Sequence, residues 1–213
     1  MTASRDWLNR RLTPAARRLA WLHPNAVTVA ALVIGLAAGP AYWLAGRHPV
    51  LYLVGGILVA ISGLADGLDG VMARSSGRTT VMGDFLDHFF DRLVSIAIFV
   101  GLTSNPDTDL ALGFVATVAV LLNSYLGTQI QASFGSRHYT GLGKAQLFTA
   151  LTVVSVALAL FPRAALRLGG VEAHLVDLFF ILVILGTLHA MGHRLRLAAR
   201  LASGDGRGSE DGG

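Results

Sequence analysis

The stretch Asp66–Asp91, DGLDGVMARSSGRTTVMGDFLDHFFD, decides how the rest of the chain is read. It places Asp66, Asp69, Asp87 and Asp91 in an otherwise apolar region, with long hydrophobic runs on both sides. An ionised carboxylate at membrane depth costs several kcal/mol unless it is paired, metal-bound or facing water. A cluster of this density is not a packing accident. It points to a polycationic centre, most simply two divalent metals, and so to phosphate chemistry.

The composition agrees with a membrane setting. The chain has 213 residues, 53% hydrophobic and 14% charged, with a mean hydropathy of +0.58. Soluble domains carry about 25% charged residues. The length suits one compact bundle and leaves no room for a large second domain. Cysteine is absent, which excludes disulfides, thiolate nucleophiles and cysteine-held zinc or iron–sulfur sites. A pI near 10.1 would point to nucleic acid in a soluble protein. Here the arginines gather at the ends of apolar runs, which is a topology signal instead. The first twenty residues are basic and broken, so no secretory signal is expected.

A bilayer crossing needs about 20 apolar residues. Runs of that kind fall at 26–45, 50–72, 82–103, 109–133, 143–161 and 173–193, separated by breaks such as Gly46-Arg47-His48-Pro49 and Asn105-Pro106-Asp107. The expected fold is therefore an all-α, polytopic bundle of six transmembrane helices over residues 23–200, with both termini on one side. The tail 201–213, rich in Gly, Ser and acid, is expected to be disordered. Thirteen basic residues belong to one face, in the N-terminal segment, the 74–80 and 135–144 loops and the C-terminus. Arg47, Arg163 and Arg167 belong to the other, so the richer face is predicted to be cytoplasmic. The aspartates open onto that face. Within residues 1–22, Trp7, Leu8, Leu12, Ala15, Ala16 and Leu19 recur at helical spacing among arginines, which predicts an amphipathic helix lying in the headgroup region.

Asp66 and Asp69 are three apart, and Asp87 and Asp91 four apart, so each pair shares one helix face. The Ser75–Thr80 break between them reverses the chain and lets the pairs converge. Carboxylates this close repel one another unless cations hold them. Hard oxygen ligands select Mg²⁺ or Mn²⁺, and two such ions can clamp a diphosphate. Gly70 and Ala73 continue the Asp66 stripe and leave room for a flat ligand or a close helix. Arg74 can set a guanidinium fork on phosphate oxygens. Gly83, four before Asp87, leaves bare surface beside the carboxylates.

These residues carry a family likeness. The spacing Asp66-x-x-Asp69-Gly70-x-x-Ala73-Arg74, then Gly83-x-x-x-Asp87-x-x-x-Asp91, resembles the signature of the CDP-alcohol phosphotransferases, with every position filled. His23-Pro24-Asn25-Ala26-Val27-Thr28 is similar to the Pro-Asn-x-x-Thr opening of that family's first span. The resemblance implies magnesium-dependent transfer of a substituted phosphate from a CDP-linked donor to an alcohol, with release of CMP. It makes Asp66, Asp69 and Asp87 metal ligands, and Asp91 both a ligand of a second ion and the general base. Gly70, Ala73, Arg74 and Gly83, with Thr80, would surround the cytidine diphosphate. The implied donor is CDP-diacylglycerol and the acceptor a small polar alcohol such as inositol phosphate or glycerol phosphate, in a homodimeric enzyme.

Other polar residues have weaker readings. Asp84 reads as a solvated carboxylate and His88 as an interfacial side chain. Asn123, Ser124, Tyr125, Gln129 and Gln131 on the fourth span are candidates to line an acceptor pocket, with Arg137 and Lys144 as phosphate ligands or loop markers. His189 and His193 are spaced for metal but lack an acidic neighbour in sequence. Three other functions compete: transfer of a CDP-linked polar head to a lipid alcohol, an aspartate-rich prenyltransferase, and a cation transporter. Arg74 within the Gly-x-x-Ala-Arg segment argues against the second. Two acidic pairs gathered at one end, rather than scattered over midplane helix breaks, argue against the third.

Overall fold

A computed structural model of the chain describes residues 13, 14, 18, 24–75, 80–135, 143–162, 164–168 and 171–203. Six long helices make up its body: α1 (Pro24–Leu44), α2 (Val50–Ser75), α3 (Val81–Thr103), α4 (Leu110–Phe134), α5 (Lys144–Leu160) and α6 (Leu175–Ala202). The six apolar runs become these helices, with ends within about three residues of expectation except at the last. There α6 continues nine residues beyond 193, through the arginine-rich segment. A departure from an all-α chain precedes α6: β1 (Ala165–Leu168) pairs antiparallel with β2 (Val171–His174) as a short hairpin. The segment between the fifth and sixth apolar runs thus carries ladder hydrogen bonds of its own.

The amphipathic helix expected over 1–22 lies outside the described residues apart from Thr13, Pro14 and Arg18. The same holds for His23, residues 76–79, Arg137 and the residues beyond Ser203.

Helix α1 packs on both α2 and α3, α2 leans on α5, and α4 bridges α3 and α6. Glycine makes the tightest of these contacts possible. A Cβ at Gly101 of α3 would sit 2.2 Å from the Gly39 carbonyl oxygen of α1. Gly35 and Gly39 are four apart on α1, and a side chain on Gly35 would meet Ser62 and Val94. Small residues at this spacing let helix backbones approach closely, where packing must replace the hydrophobic drive that lipid does not supply. Tyr42, Tyr52, Phe99, Phe180 and Leu151 fill the core.

Polar groups inside the bundle are bonded across helices. Tyr42 and Ser155 share a 2.8 Å hydroxyl bond between α1 and α5, and the Ser62 hydroxyl donates to the Ala31 carbonyl at 2.8 Å. At the end away from the aspartates, the Asn105 amide donates to the Tyr42 carbonyl and the Tyr52 hydroxyl. Buried Asp177 accepts from the backbone N–H of Asp109 and of His174, pinning α6 to the start of α4.

Around its girth the bundle exposes Val33, Leu53, Ile57, Ile61, Phe114, Leu122, Val153 and Leu182. A soluble surface does not carry apolar side chains in such a belt. Four helical segments, Ala26–Leu44, Val50–Arg74, Leu110–Phe134 and Leu175–Ala202, are long and apolar enough to cross a bilayer. Helix α3 is long enough but carries Asp84, Asp87, Asp91 and Arg92, and α5 has 17 residues. The molecule is an all-α integral membrane bundle.

Candidate active site

The chain direction delivers the acidic groups to one place. Helix α2 ends, and α1, α3 and α5 begin, at the same end of the bundle, so the last turns of α2 face the first turns of α3. Thr80 caps α3, its hydroxyl accepting the Gly83 N–H at 3.0 Å. Of the residues expected around a nucleotide, Thr80 and Gly83 are therefore in contact with each other at this cap. Gly70 lies under the Arg74 guanidinium, where a Cβ would come within 3.2 Å of Nη1. Arg74 itself sits in the last turn of α2, exposed beside the site.

Asp66, Asp87 and Asp91 come together: one carboxylate oxygen from each lies within 4.8 Å of the others. Around an octahedral Mg²⁺ with ligands at about 2.1 Å, neighbouring oxygens stand about 3 Å apart. Small side-chain rotations thus bring the three onto one ion. Asp69, the fourth expected ligand, stands apart from this triad. It is 7% exposed, hydrogen-bonded by Thr28 of α1 and by the Gly70 backbone, and within electrostatic reach of Asp66 and Lys144. Its Oδ2 is buried without a hydrogen-bond partner. A buried carboxylate oxygen left unmatched is costly. The donor set, all carboxylate oxygen, fits a hard divalent cation. The Thr28–Asp69 bond also gives the Pro-Asn-x-x-Thr opening a physical role: it ties α1 to the carboxylate helix.

Lys144 enters the triad from α5. Its ammonium pairs with Asp66 Oδ2 at 2.8 Å and with Asp91 Oδ1, and lies 5.5 Å from the Phe148 ring centre one turn on. The residue opens α5, where the helix dipole disfavours a cation; the two carboxylates offset that. His88 Nδ1 lies 3.9 Å from Asp87. Asp84 is exposed in the first turn of α3, where the dipole favours an anion. Arg92 is used elsewhere, donating to the His88 and Ser124 carbonyls and to the Thr128 hydroxyl.

Beside the triad is a cavity of about 70 Å³, lined by Ser95, Asn123, Ser124, Lys144, Thr187 and Arg194 among others. Arg194, 7% exposed, donates to the Asn123 carbonyl. A Cβ on Gly127 would fall 2.7 Å from its Nη1, so that glycine makes the room it occupies. Asn123 and Ser124 are where an acceptor pocket was expected. Tyr125 is exposed on the other side of α4. His189 and His193 stack edge to face at 4.6 Å on the exposed side of α6, away from the carboxylates. The sequence reading counted Arg194 only as a topology charge. Its signal was the stripe Phe180, Val183, Thr187, Ala190, Arg194, whose helical spacing runs down the buried face of α6.

A bundle with an apolar belt and one end that gathers carboxylates, a lysine and a buried arginine defines an integral membrane protein with a polar, cation-binding pocket. The family model for CDP-alcohol phosphatidyltransferases matches residues 21–193, and the chain belongs to that family. It is 33% identical over 128 residues to the archaetidylinositol phosphate synthase of Methanothermobacter thermautotrophicus. That match takes in 60% of this chain and 63% of the relative, so the chain spans less than two thirds of that relative's length. Its fold is similar to the phosphatidylinositol phosphate synthase of Mycobacterium tuberculosis solved with CDP-DAG bound. That likeness has a TM-score of 0.67 and 24% identity, over 89% of this chain and 94% of the other. The form of that enzyme with manganese and citrate gives a TM-score of 0.66 and 23% identity, over 88% of each chain.

Proposed function

We propose that this chain transfers a phosphatidyl-type group from a CDP-linked lipid to the hydroxyl of a phosphorylated polyol, inositol phosphate before glycerol phosphate, and releases CMP. The observation that carries the reading is the Asp66–Asp87–Asp91 triad opening beside a cavity that holds Lys144 and Arg194. Two charges of opposite duty lie next to each other: carboxylates suited to metal and diphosphate, cations suited to the phosphate of an acceptor. The names of the relatives, synthases of inositol phosphate lipids, favour inositol phosphate.

Asp66, Asp69, Asp87 and Asp91 are the residues to hold divalent metal, Mg²⁺ with Mn²⁺ as a substitute, in two ions. Such ions supply charge neutralisation on the diphosphate as it splits. Asp69 would offer its unbonded Oδ2, with Thr28 keeping the other side of the carboxylate in place. Arg74, above Gly70, is placed to fork onto donor phosphate oxygens, while Gly70, Ala73 and Gly83 leave the surface flat for the nucleotide. Arg194 and Lys144 hold the acceptor's phosphate, directing its hydroxyl toward Asp91. Asp91 then accepts the hydroxyl proton. The freed oxygen bonds to the lipid-bearing phosphorus, the bond from that phosphorus to the bridging oxygen breaks, and CMP leaves with that oxygen.

The same reading includes α3 and α5 as the remaining two spans and an active site that faces the cytoplasm. At about 1.5 Å per residue, α3 with 23 residues reaches about 34 Å, enough for a hydrocarbon core of about 30 Å. Asp84 and Asp87 sit in its first two turns, and Asp91, near its midpoint, faces Asp66 and Asp87 inside the bundle rather than lipid. The thirteen basic residues on the site's face support the orientation.

The test is release of CMP by purified protein given CDP-diacylglycerol, Mg²⁺ and a panel of alcohols. Inositol phosphate should give the highest kcat/KM. Release that ignores every added alcohol, or none from any CDP-linked donor, removes the reading.

A further inference from the structure

Sixteen of the seventeen Lys and Arg side chains are arginine; the single lysine is Lys144. It stands where three carboxylates crowd and pairs with Asp66 and Asp91 at once. An ammonium is a compact point charge on a flexible stem, whereas a guanidinium is a planar fork too broad to drop between oxygens less than 5 Å apart. The flexible stem allows two positions. In the structure the ammonium lies between Asp66 and Asp91, and the same side chain lines the cavity with Asn123, Ser124 and Arg194, so a turn of the stem would carry the charge there. Turning away would leave an anionic cage for another cation; returning offsets one of its charges.

We propose that Lys144 is a tethered counter-ion which competes with divalent metal for Asp66 and Asp91, so that filling the metal site moves its ammonium into the acceptor cavity. The proposal rests on the metal reading above. Its consequence is an order of events: the acceptor's phosphate meets a fully charged pocket only after the carboxylates hold metal. Without metal, the ammonium offsets one of the carboxylate charges. A purely structural lysine predicts the opposite, the same contacts whether metal is bound or not.

Because there is one lysine, its ε-amine can be followed directly in the wild-type protein. Purified protein is treated with a water-soluble acetylating reagent in EDTA and in Mn²⁺, and acetylation of the Lys144 peptide is read by mass spectrometry. Mn²⁺ uptake is measured on the same samples by electron paramagnetic resonance. Uptake of Mn²⁺ with a rise of about tenfold in the Lys144 acetylation rate is expected, an order of magnitude for each ~1.4 kcal/mol of ion pairing released. Lys144→Gln should bind Mn²⁺ about tenfold more tightly than wild type for the same reason. Mn²⁺ uptake with an unchanged or slower acetylation rate, or equal affinity in the variant, overturns the counter-ion role and leaves the metal reading standing. No Mn²⁺ uptake by either protein overturns the metal reading, and the counter-ion role with it.

Discussion

Gly127→Ala separates the acceptor pocket from the rest of the molecule by a single methyl. Gly127 lies on α4, and its added Cβ would fall 2.7 Å from Arg194 Nη1 and 3.2 Å from Cζ. Ordinary contact begins near 3.4 Å, so the guanidinium must move by about 0.7 Å. Its hold on the Asn123 carbonyl and its aim into the cavity change together. The atom that yields is the tip of a flexible side chain, so the fold absorbs the change with a fall in Tm of no more than a few degrees. A charge-assisted hydrogen bond is worth about 1.5–3 kcal/mol. Losing about half of one raises KM for the phosphorylated acceptor about tenfold. The CDP-donor KM should stay the same, and kcat should change by less than about threefold. Initial rates of CMP release, with each substrate varied in turn, give all three constants. An unchanged acceptor KM refutes the role of Arg194. A donor KM that rises in the same proportion shows that the methyl disturbed the whole site and refutes the division into two pockets.

Three further substitutions sort chemistry from support. Gly101→Ala drives a methyl to 2.2 Å from the Gly39 carbonyl oxygen, a backbone atom that cannot swing aside. It should cost about 1–3 kcal/mol as a lower Tm in detergent, and a Tm equal to wild type would show that α1 and α3 do not pack this closely. Asp177→Ala strips a partner from two backbone N–H groups, on Asp109 and His174. A stability loss of about 1–3 kcal/mol, seen by denaturant or thermal unfolding, should leave both KM values untouched, and an altered acceptor KM would contradict the placing of Asp177 outside the site. Asp91→Asn should lower kcat by about 10²–10⁴-fold with donor binding largely kept, and normal turnover at saturation would remove Asp91 as the base.

The bundle was legible in the sequence because six apolar runs between Gly/Pro/charge breaks leave a membrane chain few choices, and the helix limits follow those breaks closely. The hairpin at 165–174 was not. Its strands, ALRL and VEAH, are four residues each, too short to show an alternating pattern beside a pair of glycines. At the site, the spacing of Asp66, Asp87 and Asp91 announced a cation centre, and the structure gathers those three. Local spacing could not say that Asp69 turns toward Thr28, because that contact joins helices 41 residues apart in sequence. Nor could it show Lys144 inside the triad, 53 residues from Asp91. A period read along one helix fixes which residues share a face; it does not fix what the next helix sets against that face.

The two ends of the bundle differ in how their carboxylates are matched, and the difference divides stability from chemistry. Away from the aspartates, Asn105 uses both sides of its amide, donating to Tyr42 and Tyr52 and accepting from the Asp107 N–H, and Asp177 uses both carboxylate oxygens. Such satisfied networks hold helix ends in one register. At the aspartate end, Asp69 Oδ2 is buried without a partner, and Asp66 and Asp91 share one ammonium with Asp87 close by. A fold optimised only for stability would have matched or removed these groups. Their cost is tolerable because the far end and the glycine-tight α1–α3 seam hold the helices together without help from the site. The aspartate end is thereby left free to change its charge balance as cations and phosphates come and go. It follows that Asp177→Ala and Gly101→Ala should lower stability alike with metal present or absent. A substitution in the triad, such as Asp66→Asn, should change stability by an amount that depends on Mn²⁺, because only there does the fold leave a charge for the ligand to balance.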